Sequence, residues 1–190
     1  MAALIDVEDC VVVVIDTQPG FLRKLDEERA STVRDRIAWL VRLAVALKIP
    51  VVVTEEEPDR NGGTAEPIDA VLPADAGRHR KPAFGLAENP AIVADVERHG
   101  RGTAVLCGLE SDVCVAQSAL GLDDRGFRVV VVEDAVASPG ASHEQGLARI
   151  RDAGIELVGL KGLAYEWIRT VERARELDAL LSDPPPGITM

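Results

Sequence analysis

TAVLCGLESDVCVAQSALGLDDRGFRVVVVEDAVAS, residues 103–138, decides the architecture. An apolar run, TAVLC, leads through a Gly-containing turn into residues 111–125, where the spacing predicts a helix. The β-branched run FRVVVV follows. Short, continuous apolar runs of this kind are strands covered on both faces, because neither face meets water. Two such strands joined by a helix pair in parallel through a crossover, since only a tight hairpin reverses the chain in a few residues.

The same alternation extends outward. Upstream, VVVVI (residues 11–15) predicts a strand, and residues 36–48 a helix with Ile37, Leu40, Val41 and Ala44 on one side. PVVVT (50–54) predicts a strand and NPAIVADVERHG (89–100) a short helix closed by Gly100. Downstream, residues 142–153 predict a helix, IELVG (155–159) a last strand and residues 161–181 one long closing helix. Strands alternating with helices imply an α/β fold, a three-layer α/β/α sandwich with a mainly parallel, doubly wound sheet. We expect a single domain over residues 1–182. DPPPGITM (183–190) cannot continue a helix and reads as a loose or partner-bound tail.

With 190 residues and 47% hydrophobic content, the chain can bury one sizeable core. A net charge of −11 argues against nucleic acid or an anionic membrane surface as partner, both of which need clustered Lys and Arg. No apolar run approaches the ~20 residues of a membrane span. MAALIDVEDC has no basic start followed by an apolar stretch, so it does not read as a signal peptide. The three cysteines form no CxxC. A cytoplasmic protein with free thiols is the expectation, with Cys10 and Cys107 as core thiols at strand ends.

In open α/β sheets, ligands bind beyond the carboxyl ends of the strands. Asp16, Gln18 and Phe21 follow the first strand, and Glu55 and Glu56 open the acid- and Gly-rich loop after the second. After TAVLC, Ser111 as N-cap would place Cys114 in the first helical turn, where the helix N-terminus lowers a thiol pKa. Lys81 precedes Pro82, which predicts an extended or turn conformation. An Asp, a Lys and a Cys meeting at one sheet edge would make a working nucleophile. Spacing alone leaves open whether they meet, and a packing role for Cys114 stands beside the chemical one. No G-x-S-x-G supports a serine nucleophile, and the glycines of GRGTAVLCG precede their strand, the wrong side for a dinucleotide loop.

Three blocks in order resemble the isochorismatase-like cysteine hydrolases over residues 11–179. They are a strand ending in D-x-Q-x-x-F (Asp16, Gln18, Phe21), a lysine before a phenylalanine and E-N-P (Lys81, Phe84, Glu88-Asn89-Pro90), and G-hydrophobic-x-[ST]-x-x-C-V from Gly108 to Val115. The last block runs on into D-R-G-F-x-V-x-V-x-x-D-A-V-x-S. The resemblance implies an Asp16, Lys81, Cys114 triad, an oxyanion site on the backbone N–H groups of Glu110 and Cys114, and a non-proline cis peptide at Leu109–Glu110. It also implies oligomers, and apolar residues such as Leu163, Trp167, Ile168 and Val171 suggest a homodimer or larger. Phe21 and Phe84 would wall the pocket with Gln18 also lining it, and Glu55 or Glu56 could select a cationic or hydrogen-bonding group.

Departures narrow the reading. Nicotinamidases of this family hold a metal through an Asp and histidines after the second strand, whereas the loop here has no histidine. His79, His99 and His143 are far apart and read as surface or helix-end residues. We therefore expect neither metal nor cofactor. Pro82-Ala83 follows the lysine where Ser or Thr is usual. The expected function is hydrolysis of a small amide-like molecule through a thioester. The alternative is a non-catalytic or regulatory small-molecule-binding protein that retains the triad.

Overall fold

All six residues of β1 (Cys10–Ile15) are fully buried, because this strand sits inside a sheet covered on both faces. In the computed structural model, which describes residues 3–190, the sheet comprises six strands, all parallel, in the order β3-β2-β1-β4-β5-β6. The others are β2 (Val51–Glu56), β3 (Gly77–Lys81), β4 (Thr103–Leu109), β5 (Arg128–Ala137) and β6 (Glu156–Val158). Met1 and Ala2, which the reading of the N-terminus and of a domain from residue 1 includes, lie outside the described residues.

Side chains of β1 alternate between two cores, as the two-residue period of a strand requires. Cys10, Val12 and Val14 face α1 (Glu27–Ala46), through Ile37, Leu40 and Leu43. Val11, Val13 and Ile15 face the opposite layer. That layer is built from α2 (Pro90–Glu97), α3 (Ala116–Asp123) and α4 (Ser142–Asp152), contributing Ile92, Ala119 and Ile150. Returning to the first face, α5 (Leu160–Ile168) contributes Leu163 and Trp167. Each such side chain contributes roughly 1.5–3 kcal/mol by leaving water. The doubly wound sandwich is the expected one.

Several local readings are corrected. GRHRK carries no apolar residue and is not among the expected strands, yet it forms β3, an edge strand with Arg78 and Arg80 exposed and Lys81 buried. Lys81 is extended, one of the two conformations expected before Pro82. Charge on an edge is a common guard against pairing with another chain. α1 begins nine residues before the expected start, because the Asp26 side chain accepts the Arg29 N–H at 2.8 Å and caps it. The closing helix breaks at Arg169, whose φ is +67°. Thr170 then caps α6 (Val171–Glu176), and α7 (Asp178–Leu181) follows. Leu163, Trp167 and Ile168 are consumed by the chain's own core, leaving Val171 exposed as the remaining apolar residue of that group. The tail is not loose. Arg36 donates to Pro186 O, Arg42 pairs with Asp183 at 3.2 Å, and Ile188 and Met190 pack on the core.

Candidate active site

The strand order reverses between β1 and β4, and the residues carrying chemistry collect at the carboxyl ends around that point. Ile15 lies beside Gly108 in the register, so Asp16 and the turn after β4 emerge together. Glu56 lies beside Lys81 in the same way. Gly108, at φ +124°, allows the close approach: a Cβ there would lie 2.0 Å from Ile15 O.

Asp16 and Lys81 are both fully buried, with Nζ 2.8 Å from Asp16 Oδ2. Thr54 Oγ1 donates to Asp16 Oδ1 at 2.7 Å. Lys81 also donates to Ala83 O at 2.9 Å and Phe84 O at 2.7 Å. Its contact with Oδ2 is a charge pair, and Oδ2 receives no directed hydrogen bond. Cys114 Sγ lies 3.6 Å from Lys81 Nζ and 3.4 Å from Glu56 Oε2. The three side chains that the triad requires therefore meet.

The electrostatics correct the sequence reading of the thiol. Cys114 is raised, not lowered: burial is the larger cause, and the Asp16 charge adds to it against the Lys81 ammonium. A helix terminus offers part of a charge, whereas a buried thiolate would lose most of its hydration beside carboxylates. Burial also raises Asp16, against the lowering effect of Lys81. At rest the thiol keeps its proton.

All three thiols are free and buried, and burial raises Cys10 to about 11 and Cys107 further. Each is held protonated in the fold while the unfolded chain ionises from 9.0, so their contribution is intact below pH 9 and declines as pH rises toward the folded values. Each contributes a slope of about 1.4 kcal/mol per pH unit there. Urea unfolding at several alkaline pH values should show Cys107→Ala flattening the slope by that amount; an unchanged slope would contradict it.

The turn holding Cys114 also differs from the expected helix start. Ser111–Val115 form a π turn, in which Val115 N–H donates to Glu110 O at 3.0 Å, five residues back. Ser111 is not an N-cap. Its hydroxyl donates to Ser138 Oγ at 2.9 Å and lies 3.0 Å from His143 Nδ1, while Ser138 donates onward to Asp112. His143 is thus part of the packing behind the nucleophile turn, and burial lowers its pKa. His79 pairs with Asp95 at 2.6 Å. Leu109–Glu110 is cis. The Glu110 side chain points to Lys24, 3.1 Å away, and Lys24 in turn lies over the Phe21 ring.

The expected pocket residues divide. The Gln18 amide is fully engaged: Oε1 accepts Glu56 N–H at 2.8 Å, and Nε2 donates to Glu56 O at 3.0 Å and to Gly62 O. It holds the end of β2 in place. Glu55 is turned to its own loop, accepting from Thr64 N at 2.8 Å and Thr64 Oγ1 at 2.7 Å. Glu56 reaches the thiol. Phe21 is buried in the core beneath Lys24. The Phe84 ring is 55% exposed, and it is the Phe84 carbonyl that serves the centre. Sequence reasoning misses Thr54, Ser138 and the carbonyls of Ala83 and Phe84. Thr54, a lone hydroxyl at the end of an apolar strand, carries the only legible signal.

Among the described residues, one group of potential metal ligands occurs, Asp16, Glu56 and Cys114, with donor atoms within 4.8 Å of one another. Lys81 already supplies a cation there, and the thiol is protonated, so the donor set suits an ammonium better than a metal. A cavity of about 520 Å³ between α1, β5 and α4, lined by Arg29, Arg36, Asp134 and His143, contains none of the triad. Convergent chemistry marks the site more clearly than volume does.

Comparison with known proteins agrees with this arrangement. A family described as "Isochorismatase domain" matches residues 10–161. The chain is 30% identical over 153 residues to Isochorismatase domain-containing protein 2 of Bos taurus, covering 78% of this chain and 72% of that protein. It is 34% identical over 134 residues to the secreted isochorismatase effector Isc1 of Phytophthora sojae (strain P6497), a match over 67% of this chain and 62% of that protein's length. Among solved structures, the YcaC gene product of Escherichia coli, described as an octameric hydrolase of unknown specificity, superposes with a TM-score of 0.85 at 25% identity. That superposition covers 96% of this chain and 89% of YcaC. The chain belongs to the isochorismatase family of hydrolases.

Proposed function

We propose that the protein is a cysteine hydrolase that cleaves the C–N bond of a small amide-like molecule through a thioester on Cys114. The observation that carries this reading is a thiol in contact with a buried carboxylate–ammonium pair. As substrate enters, Asp16 takes the thiol proton and Sγ attacks the carbonyl carbon. Burial raises the acceptor along with the donor, so the transfer spans a smaller gap than an exposed Asp would leave. Lys81 offsets the negative charge that forms on sulfur.

The N–H groups of Glu110 and Cys114 receive the oxyanion, each donor worth about 3 kcal/mol. Asp16 returns its proton to the departing amine as the C–N bond breaks. Water, deprotonated by Asp16, then cleaves the thioester and restores the thiol. The steps consume one water and need no metal. We also propose a homo-oligomer, a reading supported by the octameric E. coli relative and by the exposed Phe84 and Val171.

Intact-mass spectrometry after incubation with a panel of small amides in EDTA tests the proposal. An acyl adduct on Cys114, absent from Cys114→Ala, is the expected result. Adducts confined to Cys10 or Cys107, or acylation that requires added zinc, would overturn it.

A further inference from the structure

Glu56 has no part in the steps above, yet its Oε2 lies 3.4 Å from Cys114 Sγ, within reach of a substituent on a carbon bonded to that sulfur. Its backbone is held from both sides. Gln18 takes the N–H, and the carbonyl accepts from Gln18 Nε2 at 3.0 Å and Asn61 Nδ2 at 2.9 Å. The carboxylate is therefore presented by fixed main chain, while its neighbour Glu55 is spent on Thr64.

What Glu56 lacks is a cation. Among the described residues, no Lys, Arg or His forms an ion pair with it. Lys81, the nearby ammonium, already serves Asp16, Ala83 O and Phe84 O. Two carboxylates and one ammonium lie around the thiol, so carboxylates are in excess of cations at this centre. A ligand that brings both positive charge and N–H donors matches that excess, because a partly desolvated carboxylate gains most from a charge-assisted bond.

We propose that Glu56 selects substrates carrying a protonated nitrogen two bonds from the reacting carbonyl carbon, an α-amino amide being the simplest. The proposal rests on Cys114 as the attacking group, which sets where the carbonyl lies. A neutral amide of the same shape would leave the Glu56 carboxylate unpaired, and an anionic one would be repelled.

Binding to the full-length Cys114→Ala protein, followed by NMR titration near neutral pH, separates recognition from chemistry. Glycinamide, which is protonated, and propionamide, its neutral isostere, are the probes. We expect glycinamide to bind about tenfold tighter or more. Cys114→Ala/Glu56→Gln should bring the two within about twofold. Equal binding of both probes, no binding of either, or a preference retained in the double variant would overturn the proposal. If the cation preference depends on Glu56 but the unsubstituted protein acylates with no amide, selection by Glu56 stands and the hydrolase reading falls.

Discussion

Lys81→Met is expected to remove about 3–5 kcal/mol of stability and to abolish thioester formation on Cys114. The stability loss follows from burial. Asp16 and Lys81 are both fully buried, and deleting one partner of such a pair leaves the other charge without compensation in a low-dielectric site. The Ala83 and Phe84 carbonyls lose a donor as well. The chemical loss has a separate cause: without the ammonium, a thiolate at Cys114 would face Asp16 and Glu56 alone. Asp16→Asn/Lys81→Met should recover much of the stability, since an uncharged pair needs no compensation, but none of the acylation. Urea unfolding and intact mass read the two effects independently. A single variant within about 1 kcal/mol of the parent would show that the ion pair is not what holds these side chains.

How much of this is legible in the sequence depends on what each residue's neighbours contribute. The strands of the sheet centre can be read because β1, β4 and residues 129–132 of β5 are apolar on both faces, a pattern that burial alone dictates. β3 cannot, since an edge strand carries polar residues like any loop, and its pairing with β2 is visible only in three dimensions. The same omission hides how Lys81 reaches the centre: the strand delivers it beside Glu56, not a loop. Asp16 and Cys114 are legible as strand-end residues through the rule for open sheets, and the resemblance supplies their pairing with Lys81. The thiol's electrostatics are misread for a physical reason. A helix terminus is a local feature that sequence displays, whereas desolvation is a sum over everything packed around the sulfur. Glu55 and Glu56 look alike in the sequence, and only the strand's alternation and the Gln18 clamp send one to Thr64 and the other to Cys114.

The second large effect belongs to Gly108, where the fold and the site share one contact. Any side chain there would place Cβ 2.0 Å from Ile15 O and 2.7 Å from Ile15 C and N, all backbone atoms of the central strand. A flexible side chain could move aside; a strand paired on both edges and buried on both faces cannot. Gly108 also has φ +124°, a conformation that residues with a Cβ rarely adopt. Gly108→Ala should therefore cost about 4 kcal/mol or more, at the extreme of single substitutions. Gly100→Ala separates the two causes, because Gly100 has φ +64° but nothing within 4 Å of where a methyl group would sit, and it should cost only about 1–2 kcal/mol. The excess at Gly108 measures the steric contact between β1 and β4. If that contact yields by opening the strands instead, Asp16 moves away from the turn that carries Cys114, and acylation falls even in whatever fraction remains folded. Equal losses at the two glycines in chemical denaturation would mean that the strands are not held as closely as the Ile15–Gly108 register requires.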